Sequence, residues 1–124
     1  MILQNIEITR GDDEDFLISF FQDDFEETPI PVSGFADVRF AIRTTWATTQ
    51  TNDTDALYVA SLASGLSVYG ESTLLLEIPD AVTQALAVDV SAPFVYDVQV
   101  LTSGGKRNTT QRGYIQIAPD VTRN

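Results

Sequence analysis

The stretch from residue 93 to residue 119 constrains the fold more than any other part of the chain. Apolar side chains occupy every second position of its first half: Phe94, Tyr96, Val98 and Val100. That period is typical of a β-strand with one buried face. Gly104 and Gly105 then interrupt the run and can supply the positive φ angles of a tight reversal. The chain returns as a second strand that ends at Pro119, and because such a hairpin is not stable alone, a second sheet is expected against it.

The remaining apolar runs predict further strands, at residues 2–10, 15–21, 36–43, 56–62, 66–69 and 73–78. The runs 56–62 and 66–69 are predicted to pair as a short hairpin about Ser64 and Gly65. Asp80 is predicted to cap a helix of one or two turns, with Val82, Ala85 and Leu86 on one side of it. Seven or eight strands with regularly spaced turn signals predict an all-β antiparallel sandwich with one short helix, in a single domain spanning residues 1–124.

The strand predicted at residues 15–21 is apolar on both faces. Phe16, Ile18 and Phe20 lie on one face, whereas Leu17 and Phe21 lie on the other. A strand of this kind is expected to be covered on its outer side by another part of the chain or by another subunit.

The composition argues against most kinds of catalytic chemistry. The chain contains no cysteine and no histidine, which removes thiol nucleophiles, the usual general base and the commonest zinc ligands. The acidic loops lack the alternating ligand spacing and central glycine of a calcium loop. We therefore predict that the protein is not an enzyme and that it has no cofactor and no metal site.

The charge of the chain is strongly negative and unevenly distributed. There are 18 acidic residues against 7 basic ones, a net charge of −11. This charge disfavours nucleic acid and anionic membranes as partners. In addition, no apolar run is long enough to span a bilayer.

The first 27 residues carry nine acids against Arg10 alone, whereas Lys106, Arg107, Arg112 and Arg123 lie near the end. Head-to-tail contact between the two poles would build a ring or a repeating lattice.

Three aromatic residues permit a different interpretation. Trp46, Tyr58 and Tyr69 could form a surface on which a sugar ring stacks. Alternatively, Trp46 is buried against the sandwich edge or a neighbouring subunit, since large aromatic side chains anchor interfaces.

Three stretches of the chain carry a resemblance to a known family. The first is Ile8-Thr9-Arg10-Gly11-Asp12, leading into residues 16–21, and the second is Val32-Ser33-Gly34-Phe35, leading into residues 38–43. The third comprises residues 94–99, Gly104-Gly105-Lys106, Arg112-Gly113-Tyr114-Ile115-Gln116-Ile117 and Pro119-Asp120-Val121-Thr122-Arg123. Together they resemble the immunoglobulin-like (Ig-like) β-sandwich modules of tailed bacteriophages and prophages. These modules occur at the N-termini of baseplate and tail-fibre proteins and as free-standing virion proteins.

The resemblance implies an Ig-like sandwich located in the virion. It implies a non-enzymatic, multimeric structural subunit that contacts other virion proteins, as an adaptor or attachment protein of the tail, baseplate or tail fibre. A capsid decoration or cement protein is the alternative within that class, and a module that binds host carbohydrate is the alternative outside it. The residues predicted to form interfaces are Phe16, Phe21, Phe25, Trp46, Arg107 and Arg112.

Overall fold

The computed structural model describes residues 2–9, 13–21, 29–43, 56–85 and 94–118. Within these ranges the strands are β1 Ile2–Leu3, β2 Ile6–Thr9, β3 Glu14–Ser19, β4 Phe35–Arg43, β5 Tyr58–Ser61, β6 Leu66–Gly70, β7 Thr73–Ile78, β8 Phe94–Thr102 and β9 Arg107–Ala118. A 3₁₀ turn at Val32–Gly34 precedes β4, and the helix α1 at Asp80–Ala85 follows β7. No helix in the described ranges is long and apolar enough to cross a membrane.

The strands form two sheets that face each other. The larger sheet has the order β1-β9-β8-β4-β5, with β2 also paired to β9, and the smaller sheet has the order β3-β7-β6. Because β1 and β2 pair with β9 in one continuous register, they are two segments of a single interrupted strand, and the described residues then hold eight strands. The predicted all-β sandwich is confirmed. One feature was not predicted: β1 and β2 run parallel to β9, while the other strand pairs are antiparallel.

Alternating side chains from both sheets fill the interior. The fully buried residues include Val38, Phe40, Ile42, Leu74, Leu76, Ile78, Tyr96 and Val98. The rings of Phe40 and Tyr96 stack at a centroid distance of 5.4 Å, and those of Phe20 and Phe35 meet edge to face at 5.2 Å. Each large apolar side chain buried in this way stabilises the fold by about 1.5–3 kcal/mol. The period-2 patterns of the sequence therefore identified the core faces correctly.

The C-terminal hairpin is confirmed. β8 and β9 are antiparallel from Phe94↔Ile115 to Leu101↔Arg107, with a bulge after Val98. Gly105 has the positive φ expected of the turn, +86°, and its N–H donates to the Thr102 carbonyl at 3.0 Å. Gly104 does not have a positive φ, so one glycine and not two provides the reversal.

The predicted hairpin at residues 56–62 and 66–69 is wrong. β5 pairs with β4 in the larger sheet, whereas β6 pairs with β7 in the smaller sheet. The turn between them, closed by hydrogen bonds between Ser61 and Ser64, carries the chain from one sheet to the other. Gly65 permits this change of direction with a φ of +94°.

The short helix is confirmed, but its buried side differs from the prediction. Thr83 is fully buried and Val82 is packed against the core, whereas Ala85 is exposed and Leu86 lies outside the described residues. The first N–H of the helix, that of Asp80, donates to the carboxylate of Asp13 at 2.7 Å. The Asp13 carboxylate, next to the start of β3, therefore caps the N-terminus of α1, where an anion is favoured.

Candidate functional site

The outward side of the smaller sheet is an exposed surface with apolar residues and carboxylates. On adjacent strands Asp15 lies opposite Glu77 and Leu17 lies opposite Leu75. Asp15 and Glu77 are exposed, Leu17 is 55% exposed and Leu75 is partly exposed. We call the surface made by these four residues the acidic face.

The acidic face contains an unfavourable pair of charges. Like charges that lie directly opposite each other on antiparallel strands destabilise the sheet, and Asp15 and Glu77 have this arrangement. The strands β3, β6 and β7 carry no lysine or arginine that could neutralise them. A cationic group from outside the subunit would relieve this repulsion.

A second exposed surface lies along β9 at the opposite sheet. Leu3 is 72% exposed and lies beside Arg112, and Tyr114 is 49% exposed two residues further along β9. Arg107, at the start of β9, is partly exposed. We call Leu3, Arg107, Arg112 and Tyr114 the β9 strip; β9 itself contains two arginines and no acidic residue.

The side chain of Asn5 helps to hold the N-terminal strand in register with β9 at the β9 strip. Asn5 lies where the edge strand is interrupted, and its Oδ1 accepts a hydrogen bond of 3.0 Å from the Tyr114 N–H. The side chain thus replaces the main-chain acceptor that a continuous strand would supply. This bond, together with the pairing of Leu3 with Arg112, holds Leu3 and Tyr114 on neighbouring strands.

The centre of the larger sheet is not an open surface on either side. On its outward side Arg43, Val95, Asp97 and Gln99 are buried. Arg43 Nε lies 3.7 Å from Asp97 Oδ2, and both side chains are nearly inaccessible to water. The sequence placed Arg43 on the polar face of its strand but gave no signal that this face would be buried.

An apolar groove opens between the two sheets beside the edge strand β6. It has a volume of about 420 Å³ and is lined mainly by Val32, Phe35, Leu62, Val68 and Leu74. Val68 aligns with the buried Leu74 and is nevertheless 69% exposed, because it lies on the outermost strand. Among the described residues that line the groove, Glu71 at its margin is the one titratable residue.

The four predicted interface residues that the structure describes lie in different parts of the fold. Phe16 is half-buried and packs against the core, so it belongs mainly to the interior. Phe21 is half-buried and forms an isolated bridge with Pro29. Arg107 and Arg112 both belong to the β9 strip, whereas Phe25 and Trp46 lie outside the described residues.

Tyr58 and Tyr69, two of the three residues proposed for sugar stacking, lie in different sheets. Tyr58 packs against the core and its hydroxyl donates to the Glu77 carbonyl at 3.4 Å. Burial raises the pKa of Tyr58 above its usual value of 10.0. Tyr69 is 65% exposed at the irregularity between Val68 and Gly70. The third residue, Trp46, is not among the described residues.

Part of the acidic cluster at residues 12–15 has structural roles. The Asp13 carboxylate caps α1, and Glu14 Oε1 accepts the Thr9 N–H at 2.9 Å. Among the described residues, no group of three or more potential ligands could hold a metal ion. Asp15 is the member of the cluster that belongs to the acidic face.

Sequence reasoning missed the exposed apolar residues Leu3, Leu17 and Tyr114 as members of the two surfaces. The available signal was the strand that is apolar on both faces, which does contain Leu17. The sequence alone did not show which of Phe16 and Leu17 is exposed, because that depends on which side of the strand faces the second sheet.

No protein-family model matches the chain, and no curated protein matches it.

Proposed function

We propose that the protein is a non-enzymatic structural subunit that acts through protein–protein contacts. In line with its resemblance to phage modules, we propose that it serves as an adaptor or attachment protein in the tail, baseplate or tail fibre of a bacteriophage particle. The observation that carries the proposal is the presence of two exposed sheet surfaces, each combining apolar and charged side chains.

The apolar members of these surfaces support a contact function. Leu3, Leu17 and Tyr114 are each about half or more exposed, and the residues next to Leu17 and Tyr114, Ile18 and Ile115, are buried on the opposite sides of their strands. Single exposed apolar residues are ordinary, but apolar residues that adjoin charged ones on a flat sheet resemble the mixed chemistry of protein interfaces.

The distribution of polar groups also supports this function. Several polar side chains of the described residues make structural hydrogen bonds: Asp13 to α1, Glu14 to Thr9 and Asn5 to Tyr114. The 124-residue sequence has no histidine or cysteine that could act as a base or a thiol nucleophile.

The test is to locate the chain in phage particles. Purified particles from a host that carries this coding sequence would be separated into heads and tails, and the protein quantified in each fraction by mass spectrometry. We expect a fixed number of copies per tail. Enrichment in the head fraction would favour the decoration alternative, and absence from both fractions would refute the virion proposal.

A variant series tests whether the exposed surfaces make the contacts. Leu17→Glu introduces a charge on the acidic face, and Leu3→Glu does the same on the β9 strip. We expect at least one of them to reduce incorporation into particles while the isolated protein keeps its unfolding temperature. Glu71→Lys, an exposed change in the turn between β6 and β7 and outside both surfaces, is the control and should leave incorporation intact.

A further inference from the structure

We infer that the acidic face of one copy of this protein docks on the β9 strip of a second copy. This inference rests on the proposed function and names one partner for it, the same chain. The partner is indicated by charge, by spacing and by the position of the two surfaces on different sheets.

The charges of the two surfaces are complementary. The strands of the smaller sheet contain three acidic residues and no basic one, whereas β9 contains two arginines and no acidic residue. Docking would place cationic groups of the β9 strip against the opposed carboxylates of Asp15 and Glu77. It would thus convert a repulsive pair within each subunit into attraction between subunits.

The spacing of charged and apolar groups also matches. Asp15 and Leu17 are two residues apart on β3, and Glu77 and Leu75 are two residues apart on β7. Side chains two positions apart on a strand point to the same side and are separated by about 7 Å. Arg112 and Tyr114 have the same separation on β9, so an arginine can meet a carboxylate while Tyr114 covers a leucine.

Apolar contact would contribute alongside the charges. Leu17 and Leu3 are 55% and 72% exposed in the isolated subunit, and covering each of them removes apolar surface from water. Arg112 also faces Asp97 across the β8–β9 pair, so part of its charge interacts within the subunit. Arg107, opposite Leu101, is substituted together with Leu3, because reversing its charge lowers the positive charge of the strip without removing the residue that faces Asp97.

The contact is heterologous, because the two surfaces belong to different sheets of the same subunit. A heterologous contact leaves one unused surface at each end of a dimer, and further copies then add until a ring closes or a filament grows. The wild-type protein is therefore expected to form species larger than a dimer.

The experiment measures molar mass by sedimentation velocity across a range of protein and salt concentrations. Two variants are compared with the wild type: Asp15→Lys/Glu77→Lys on the acidic face, and Leu3→Glu/Arg107→Glu on the β9 strip. We expect the wild type to associate and each variant alone to be monomeric. The wild-type assembly should dissociate as salt rises, because exposed charges are screened beyond about 8 Å at physiological ionic strength. Glu71→Lys, in the turn at the opposite end of β7, is the control and should associate as the wild type does.

Mixing the two variants provides the decisive observation. In an equimolar mixture the unchanged strip of the first variant meets the unchanged acidic face of the second, and the two reversed surfaces also complement each other. We therefore expect association to return in the mixture. A mixture that stays monomeric, or an acidic-face variant that still associates, would refute the inference.

Failure of this inference can be distinguished from failure of the proposed function. A wild-type protein that is monomeric at all concentrations, yet is incorporated into phage tails, would overturn self-docking and leave the structural role standing. Thermal unfolding of each variant, followed by circular dichroism, must give a folded protein for its mass to be interpreted. If the double lysine variant does not fold, Glu77→Lys alone replaces it, with the same expected loss of association.

Discussion

Gly113 on β9 lies against the main-chain carbonyl of Gln4, so closely that a Cβ atom at position 113 would stand 1.8 Å from the Gln4 oxygen. The same oxygen accepts a hydrogen bond of 2.5 Å from the Tyr96 hydroxyl, and Gln111 Nε2 donates to that hydroxyl at 2.9 Å. The Gln4 N–H donates to the Arg112 carbonyl at 3.0 Å. At the interruption between β1 and β2, these hydrogen bonds therefore hold the N-terminal edge strand against the β8–β9 hairpin.

Replacing Gly113 with alanine should destabilise the protein by about 1–3 kcal/mol, because the new methyl group would meet main-chain atoms that cannot rotate away. The measurement is the free energy of unfolding in urea. Gly34→Ala is the matched control, since a Cβ there meets nothing within 4 Å and its φ is not positive, and it should change stability by less than about 0.5 kcal/mol. Equal effects of the two substitutions would mean that the edge strand does not lie on Gly113.

Tyr96→Phe should cost about 1–2 kcal/mol at neutral pH. The substitution removes the donor to the Gln4 carbonyl and leaves the Gln111 amide without its acceptor. Tyr69→Phe, at a ring that is 65% exposed, is the control and should be close to neutral. If both variants unfold at the same urea concentration as the wild type, the hydroxyl does not fasten the edge strand.

The contribution of the Tyr96 hydroxyl should also depend on pH. Burial raises the pKa of Tyr96 above its usual value of 10.0, while the hydrogen bond from Gln111 acts in the opposite and smaller direction. The folded state thus favours the neutral phenol, so the associated stability is complete below the unfolded pKa and is lost as pH rises through the folded pKa. Urea unfolding between about pH 8 and about pH 11 should show the difference between wild type and Tyr96→Phe shrinking at the alkaline end. A constant difference would contradict this.

The core of the sandwich was predictable because its signal is local. Residues 94–100 and 36–43 alternate with the period of a strand, and the structure buries the apolar sets Val98, Tyr96, Phe40 and Ile42 that the alternation selects. The pairing of β5 and β6 was not predictable in this way. A turn containing Gly65 is equally compatible with a hairpin and with a crossing between sheets, and the choice depends on distant partners, β4 and β7.

The surfaces were less predictable than the core, since they depend on register between distant segments. Asp15 and Glu77 are far apart in sequence and become opposed only when β3 and β7 pair. The parallel addition of the N-terminal strand likewise brings Leu3 to Arg112. The sequence did indicate Arg107 and Arg112 through the positive charge near the end of the chain, because composition alone reveals a concentration of charge.

Gly65→Ala should be more destabilising than Gly105→Ala. Both positions have positive φ values, +94° and +86°, so both alanines incur the backbone cost of about 1–2 kcal/mol. At Gly65 the added Cβ would also lie 2.9 Å from the Cβ of Ala60, whereas nothing lies within 4 Å at Gly105. The difference in unfolding free energy between the two variants measures the cost of the steric contact between the new Cβ and Ala60. Equal unfolding free energies would show that the turn between β5 and β6 shifts to avoid that contact.

Asp97 and Arg43 should behave as a coupled, buried ion pair. Their side chains are 9% and 2% exposed and 3.7 Å apart, and removing one partner of such a pair leaves a buried charge, which costs about 3–5 kcal/mol. Arg43→Met and Asp97→Leu should each approach that cost. Asp97→Leu should be the larger because Asp97 also faces Arg112 across the β8–β9 pair.

The double variant Arg43→Met/Asp97→Leu should be less destabilised than either single variant, because neither buried charge of the pair remains and the replacements are apolar. The coupling energy from this double-mutant cycle, measured by urea unfolding, should exceed about 1 kcal/mol, above the range found for exposed pairs. Arg107→Met, at the partly exposed start of β9, is the control and should change stability by less than about 0.5 kcal/mol. Additive single effects would mean that water screens the two charges and that the outward side of the larger sheet is more open than its burial indicates.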